Sequence, residues 1–571
     1  MKAPVSQRTR PLMIIAQDPS VRLKGKILRA HVEVPAEEIA PGPWGYRVHV
    51  VDYDASTDTF YKPLLNPSFQ YGGGDPFDGQ SDKELLDNPN FHAQNVYAIV
   101  MRTLARFELA LGRRVAWGFY GHQIKIAPHA FADANAFYSA DDQALLFGYF
   151  PGRQGTVFAC LSHDIVAHET THALLDGLRT RYTDPSSPDQ AAFHEGFADI
   201  VALLSVYALP AVVSTIINLN ATEQQARRVA RKQLTLAKLR QSMLFGLAEE
   251  MGQELTTTRG AALRHSAELP PSASYLKPGN LEFMEPHRRG EVLVAAILNA
   301  FLAVWAQRLK SLGEVAPGYL DCGRVVEEGA AVADYLLTMM IRALDYAPPV
   351  DLEFGDFLSA VLTSDWIINP SDEKYQFRQI LKDTCAGYGI HPKGKLHSEC
   401  PGSWDPPPAH LNYDRTHFEA MQHDRDEVFR FIWENRKLLG LDEDVYSRVL
   451  SVRPCLRIGP DGFALRETVA EYMQILDLEA GELKRQGITA PSDMPADQTI
   501  RLYGGGTLIF DEYGRLRYHL HKRLKDADRQ SNRLKYLWDY GYFKKGETAF
   551  SFANLHRQRA TGALSSVKEE W

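Results

Sequence analysis

The chain has 571 residues, 45% hydrophobic and 23% charged, with 63 basic against 71 acidic side chains and a formal net charge of −8. That composition excludes a chain disordered throughout and supplies core for about three domains at ~100–200 residues each. It also disfavours a protein that grips nucleic acid over its whole surface, which would be basic.

No run of 18 apolar residues is present, so no membrane span is expected. The N-terminal stretch lacks the apolar core and cleavage site of a secretory signal, so the expected location is the cytoplasm, or export by a leaderless route. Residues 1–155 read as a β-rich lobe. Residues 46–53 (YRVHVVDY) alternate as a half-buried strand does, among the turn clusters PGPWG, YGGGDPFDG and DNPN. Apolar residues at Val96, Ile99, Val100, Leu104, Phe107 and Leu111 predict a helix over 95–112. Strands are expected at 123–127, 136–138 and 145–150. Residues 156–392 predict a helical lobe, in which 290–309 and 330–344 are apolar nearly all round. The Gly-, Pro- and His-rich stretch 386–410 reads as a domain boundary. Residues 393–571 predict a C-terminal α+β module: a helix over 416–438, hairpin turns at 459–462 (GPDG) and 511–514 (DEYG), and a loose tail over the last dozen residues. Cys160, Cys322, Cys385, Cys400 and Cys455 are scattered, with no CxxC pair. That usage fits a reducing compartment and argues against a disulfide framework or a cysteine-based zinc finger; the cysteines read as structural.

The chemistry concentrates in 163–207. His168-Glu169-Thr170-Thr171-His172 is HExxH, backed by Ile165, Val166, Ala167, Ala173, Leu174 and Leu175. On a helix, positions i and i+4 share a face, so both imidazoles can reach one metal ion. Glu169, one residue on, falls beside the metal as a general base. Zinc that catalyses takes three protein ligands and lowers the pKa of a bound water toward about 7. Glu195 opens a second apolar helix, EGFADIVALLSVY, and is the candidate third ligand. Asp199, at i+4 from Glu195, can accept the Nδ1–H of a ligand histidine and fix its tautomer. Both acids could instead only complement a helix N-terminus.

HExxH followed by ExxxD on the next helix resembles the thermolysin-like zinc metallopeptidases of the gluzincin type. The likeness covers roughly residues 40–390. Asn135-Ala136-Phe137-Tyr138 is similar to the edge strand whose Asn-Ala pair binds the substrate backbone. Ala262-Leu263-Arg264 resembles the segment whose arginine holds a substrate carbonyl; for Arg264 a structural ion pair is the alternative. His287, before RRGEVLVAAILNAFL, resembles the histidine that stabilises the oxyanion, with His265 its nearest rival. Tyr182 stands near the place of the oxyanion-binding tyrosine. Leu263 and Ile165 would line an apolar pocket for the residue after the scissile bond. Asp164 matches a calcium ligand of the family, but Val206 stands where a carboxylate would be needed, so its double calcium site is not expected. The GxMEN motif of the aminopeptidase branch is absent.

The expected fold is therefore α+β: a two-lobed thermolysin-like peptidase plus a C-terminal module. The expected function is that of a zinc-dependent endopeptidase acting on peptide or protein substrates. A peptidase limited to short peptides, or a vestigial one acting as an adaptor through its module, stand as alternatives. Residues 501–560 are locally basic with interleaved aromatics, which could meet nucleic acid, a membrane surface or an acidic partner but reads better as a solvated face. Gly504-Gly505-Gly506 lacks the Lys-Ser/Thr of a P-loop and reads as a turn or bulge.

Overall fold

The computed structural model describes residues 9–23, 25–63, 75–119, 121–152, 155–184, 186–218, 227–241, 266–373, 375–395, 397, 399–459 and 462–543. The architecture is mixed helix and sheet, of α+β type, with one five-stranded, one four-stranded and four two-stranded sheets among the described residues.

In the N-terminal lobe, β1 (Thr9–Ile15) and β2 (Arg29–Pro35) form an antiparallel pair. The main sheet contains β3 (Val48–Val50), β4 (Ile124–Phe131), β5 (Ala136–Ser139), β6 (Ala144–Gly152) and β7 (Gly155–Phe158). Its order is β7-β6-β4-β3, with β3 and β6 both parallel to β4. β6 divides its outer edge: its first half pairs with β5 (Phe147 opposite Ala136), its second with β7 (Tyr149 opposite Phe158). The strand expected over 46–53 shortens to Val48–Val50, and the one expected over 123–127 runs on to Phe131.

Capping chemistry sets where the long helices begin. Helix α1 (Pro89–Leu111) starts at Asn88, whose side chain accepts the Asn90 N–H, and ends at Gly112 in the left-handed region, so it begins earlier than its apolar spacing predicts. A 3₁₀ turn (Ala159–Leu161) leads into α2 (His163–Leu178), and α3 (Pro188–Tyr207) follows. Then come α4 (Pro286–Lys310), α5 (Cys322–Ala343), α6 (Phe354–Ile368) and α7 (Phe377–Gly387). α1, α3 and α4 each carry proline at their first position, where a missing N–H costs nothing. α4 is long and apolar enough to cross a membrane, yet it packs against α3, α5 and α7 with most of its side chains buried.

The C-terminal module is a four-stranded antiparallel meander, β8 (Ser447–Ile458), β9 (Ala464–Glu479), β10 (Thr499–Asp511) and β11 (Leu516–Lys522), with α8 (Arg425–Asn435) and α9 (Ala527–Asp539). The β8–β9 and β10–β11 connections fall at the two expected hairpin turns. The helix expected over 416–438 is broken, because the Asp424 side chain accepts the Asp426 N–H and starts α8 afresh after a short helix, Phe418–Met421. The glycine run lies within β10 and is neither turn nor bulge. A Cβ on Gly504 would meet Leu524 Cα at 2.6 Å, and one on Gly505 the Tyr472 carbonyl at 2.4 Å, so the glycines admit neighbouring backbone. The expected tail lies outside the described residues.

The module has two small cores of its own, but Ile509, Tyr518 and Leu520 belong to the core of the rest of the protein. The expected boundary at 386–410 is stitched down: Lys393 N donates to Ser359 Oγ (2.8 Å) and Trp404 Nε1 to the Tyr346 carbonyl (2.7 Å). Several basic residues of 501–560 face inward rather than to solvent. Lys522 pairs with Asp356 (2.6 Å), and Arg529 and Arg533 both meet Asp351. The module is thus joined to the helical lobe by buried charge.

Candidate active site

α2 holds HExxH with both histidines and Glu169 buried. One turn apart, His168 Nε2 and His172 Nε2 lie 2.7 Å from each other. Glu195 on α3 completes the group, its Oε2 3.5 Å from His168 Nε2 and 3.9 Å from His172 Nε2. These three ligand atoms all lie within 4.8 Å of one another, an arrangement that could hold a metal ion.

Small residues let α3 and α4 approach each other closely. A Cβ on Gly196 would lie 3.0 Å from the Gly290 carbonyl, and one on Gly290 would lie 3.0 Å from the Ala192 carbonyl. α3 and α4 therefore cross almost backbone to backbone, one residue from Glu195 and three from His287. The crossing puts His287 Nε2 3.8 Å from Glu195 Oε2.

Outer contacts orient the rings. His168 Nδ1 lies 2.7 Å from Asp199 Oδ1, so its hydrogen sits there and the Nε2 lone pair faces the group. His287 Nδ1 donates to Glu285 Oε1 (2.6 Å), and Glu285 also caps α4 by accepting the Arg288 N–H. His172 Nδ1 lies 2.9 Å from His194 Nδ1, the two rings stacked at 4.9 Å. Asp199→Asn is expected to weaken metal binding by ~10–100-fold while leaving the fold intact, measured by competition with a chromophoric chelator.

Glu169 Oε2 accepts the Tyr138 N–H (3.1 Å), tying the base candidate to β5. In a strand, residues two apart present backbone groups to the same side, so the Ala136 carbonyl leaves β5 on the edge that Tyr138 N–H uses. Asn135 is held at the strand's start: its carbonyl accepts the Gly148 N–H and its Oδ1 the Ala136 N–H, both within 2.9 Å. Ile165 is buried on α2. Leu263 and Arg264 lie outside the described residues, as does His265. Asp164 Oδ1 is 2.7 Å from Ser162 Oγ, which also reaches Asp18 Oδ2, and Val206 is buried in α3.

Tyr182 is buried in the turn after α2. Its hydroxyl donates to the Pro348 carbonyl (2.7 Å), its ring packs edge-on against Phe193, and burial pushes its phenol pKa up. It braces the loop after α2 against the segment after α5.

Sequence reasoning missed His194, Glu285 and Glu291. His194 directly precedes Glu195, and Glu285 precedes the Pro at the start of α4 as a cap would, so each had a local signal. Glu291 had none. Buried, next to Arg288 and feeling the charge of Asp199, its carboxyl is pushed up to about 7, burial outweighing Arg288.

No known protein family matches the chain, and no curated protein matches it.

Proposed function

We propose that the protein is a zinc-dependent endopeptidase of thermolysin-like architecture. The observation that carries this is the buried His168–His172–Glu195 group, with Glu169 alongside it and an edge strand facing the same helix. Two imidazoles and one carboxylate form the donor set that zinc takes in hydrolytic sites, and Asp199 supplies the matching outer contact. Bound zinc supplies a Lewis acid and an acidified water. Glu169 receives the proton of the attacking water and returns it to the leaving amine. Glu285 orients the His287 ring through Nδ1, and the His287 Nε2 faces the group as the partner for the developing oxyanion. The substrate lies extended along β5, its backbone pairing with the open edge beside Ala136 and with the Asn135 side chain. Ile165 and Leu263 receive the side chain after the scissile bond, and Arg264 holds a substrate carbonyl.

Digestion of a peptide library by the full chain, read by mass spectrometry, tests this reading. Internal cleavage should vanish with chelator and return with zinc. Cleavage indifferent to chelator, or none at all by zinc-loaded protein, would reject it.

A further inference from the structure

A second group of metal-ligating side chains is buried in the N-terminal lobe. His92 lies in the first turn of α1, His129 near the end of β4, and Cys160 in the 3₁₀ turn that feeds α2. Their ligand atoms all lie within 4.8 Å of one another, and all three residues are buried. No residue is shared with the HExxH group.

The tautomers of both histidines are fixed by their outer partners. His92 Nε2 is 2.9 Å from the Leu86 carbonyl, which can only accept, so Nε2 carries the hydrogen. His129 Nδ1 is 2.9 and 3.0 Å from the two oxygens of Asp52, so it carries its hydrogen there. With one hydrogen per ring, the lone pairs fall on His92 Nδ1 and His129 Nε2, and these atoms face each other at 2.8 Å. Two lone pairs at that separation repel, and a cation between them converts the contact into attraction. A carboxylate on one ring and a backbone carbonyl on the other is also the outer arrangement that orients metal-bound imidazoles. The Cys160 Sγ lies within 4.8 Å of both ring nitrogens, and Phe158 and Tyr61 pack on the rings. Its turn is already anchored: Asn95, three residues after His92 on α1, donates to the Cys160 carbonyl (2.9 Å).

We propose that His92, His129 and Cys160 form a second metal site, taking a d¹⁰ transition-metal ion, Zn²⁺ or Cu⁺, that ties α1, β4 and the turn entering the active-site helix together. Two imidazoles and a thiolate are too soft a set for Mg²⁺ or Ca²⁺. Cys160 binds as thiolate and gives its proton to solvent as the metal enters. Tetrahedral ligation needs the two nitrogens about 3.3 Å apart, from metal–nitrogen bonds of ~2.0–2.1 Å. The required opening is about half an ångström, as it is for the His168–His172 pair at 2.7 Å.

The test uses the full chain loaded with Co²⁺. A sulfur ligand gives a near-ultraviolet thiolate-to-cobalt charge-transfer band, which the HExxH group cannot produce because it contains no sulfur. The band is expected in the wild type, unchanged in His168→Ala and lost in Cys160→Ser. Elemental analysis should find about two metal equivalents per wild-type chain and about one in either variant. Competition of Zn²⁺ and Cu⁺ for the band-bearing site identifies the resident ion. Absence of the band from wild type and His168→Ala overturns the proposal, whether or not Cys160→Ser folds, and leaves a shared proton as what holds the histidine pair. A retained band in wild-type protein that binds no second metal and cleaves nothing would instead remove the peptidase reading and leave this site standing.

Discussion

Glu169→Gln is expected to retain its metal and lose peptide hydrolysis by ~10³-fold, the scale of a positioned general base. The amide is nearly isosteric and can still accept the Tyr138 N–H through its oxygen, so the contact between α2 and β5 survives. What disappears is the ability to take a proton. The check is kcat/KM on an internally quenched peptide, at metal content matched to wild type. Turnover at the wild-type rate would place the base elsewhere.

Arg457→Ala is expected to destabilise the whole protein by about 3–5 kcal/mol, the cost of leaving buried partners without their counter-charge. Arg457 on β8 is completely buried and pairs with both Glu467 and Asp345, while its Nη1 lies 3.1 Å from the Tyr346 hydroxyl. Asp345 also takes Arg113 at 2.5 Å, and Arg179, which closes the active-site helix α2, reaches Glu471 on β9 at 2.5 Å. The module's sheet therefore neutralises charges at the ends of α2 and α5. Arg501→Ala is the control. Its pair with Asp477 is about half exposed (56% and 48%), so its loss should leave the midpoint close to that of the wild type. Thermal or denaturant midpoints separate the two cases. The difference between wild type and Arg457→Ala should also shrink in acid. Burial raises the Asp345 carboxyl, but Arg113 and Arg457 outweigh it and hold it well below the usual carboxylate range. Its stabilisation is then present above the ordinary carboxylate pKa and is lost as pH falls toward the folded value.

This coupling revises the division of the chain at 392. The Gly- and Pro-rich stretch does mark where one set of cores gives way to another, but a cut there would strip Arg457, Lys522 and Arg529 from Asp345, Asp356 and Asp351. A chain ending near 392 is therefore expected to aggregate rather than to cleave.

Local signals were legible because they depend on neighbours in sequence. HExxH and ExxxD declare helical faces, and the structure brings His168, His172 and Glu195 into one buried group. The two hairpin turns and His287 beside the start of a buried helix were readable for the same reason. Contacts between distant segments were not. Tyr182 sits close in sequence to the ligands, yet its partner is Pro348, which no spacing rule connects to it. Lys522, Arg529 and Arg533 read as part of a solvated basic run until Asp351 and Asp356 are folded against them. Gly504 to Gly506 signal a turn in isolation, and only the neighbouring strands explain them as close packing. Cys160 read as a structural thiol because His92 and His129 reach it from other elements.

The most direct measurement is anomalous scattering from crystals of the full chain, with data collected on both sides of the zinc absorption edge. The account predicts a zinc peak about 2.0–2.2 Å from His168 Nε2, His172 Nε2 and a Glu195 carboxylate oxygen. Zinc-supplemented crystals with no peak between those three side chains would contradict it.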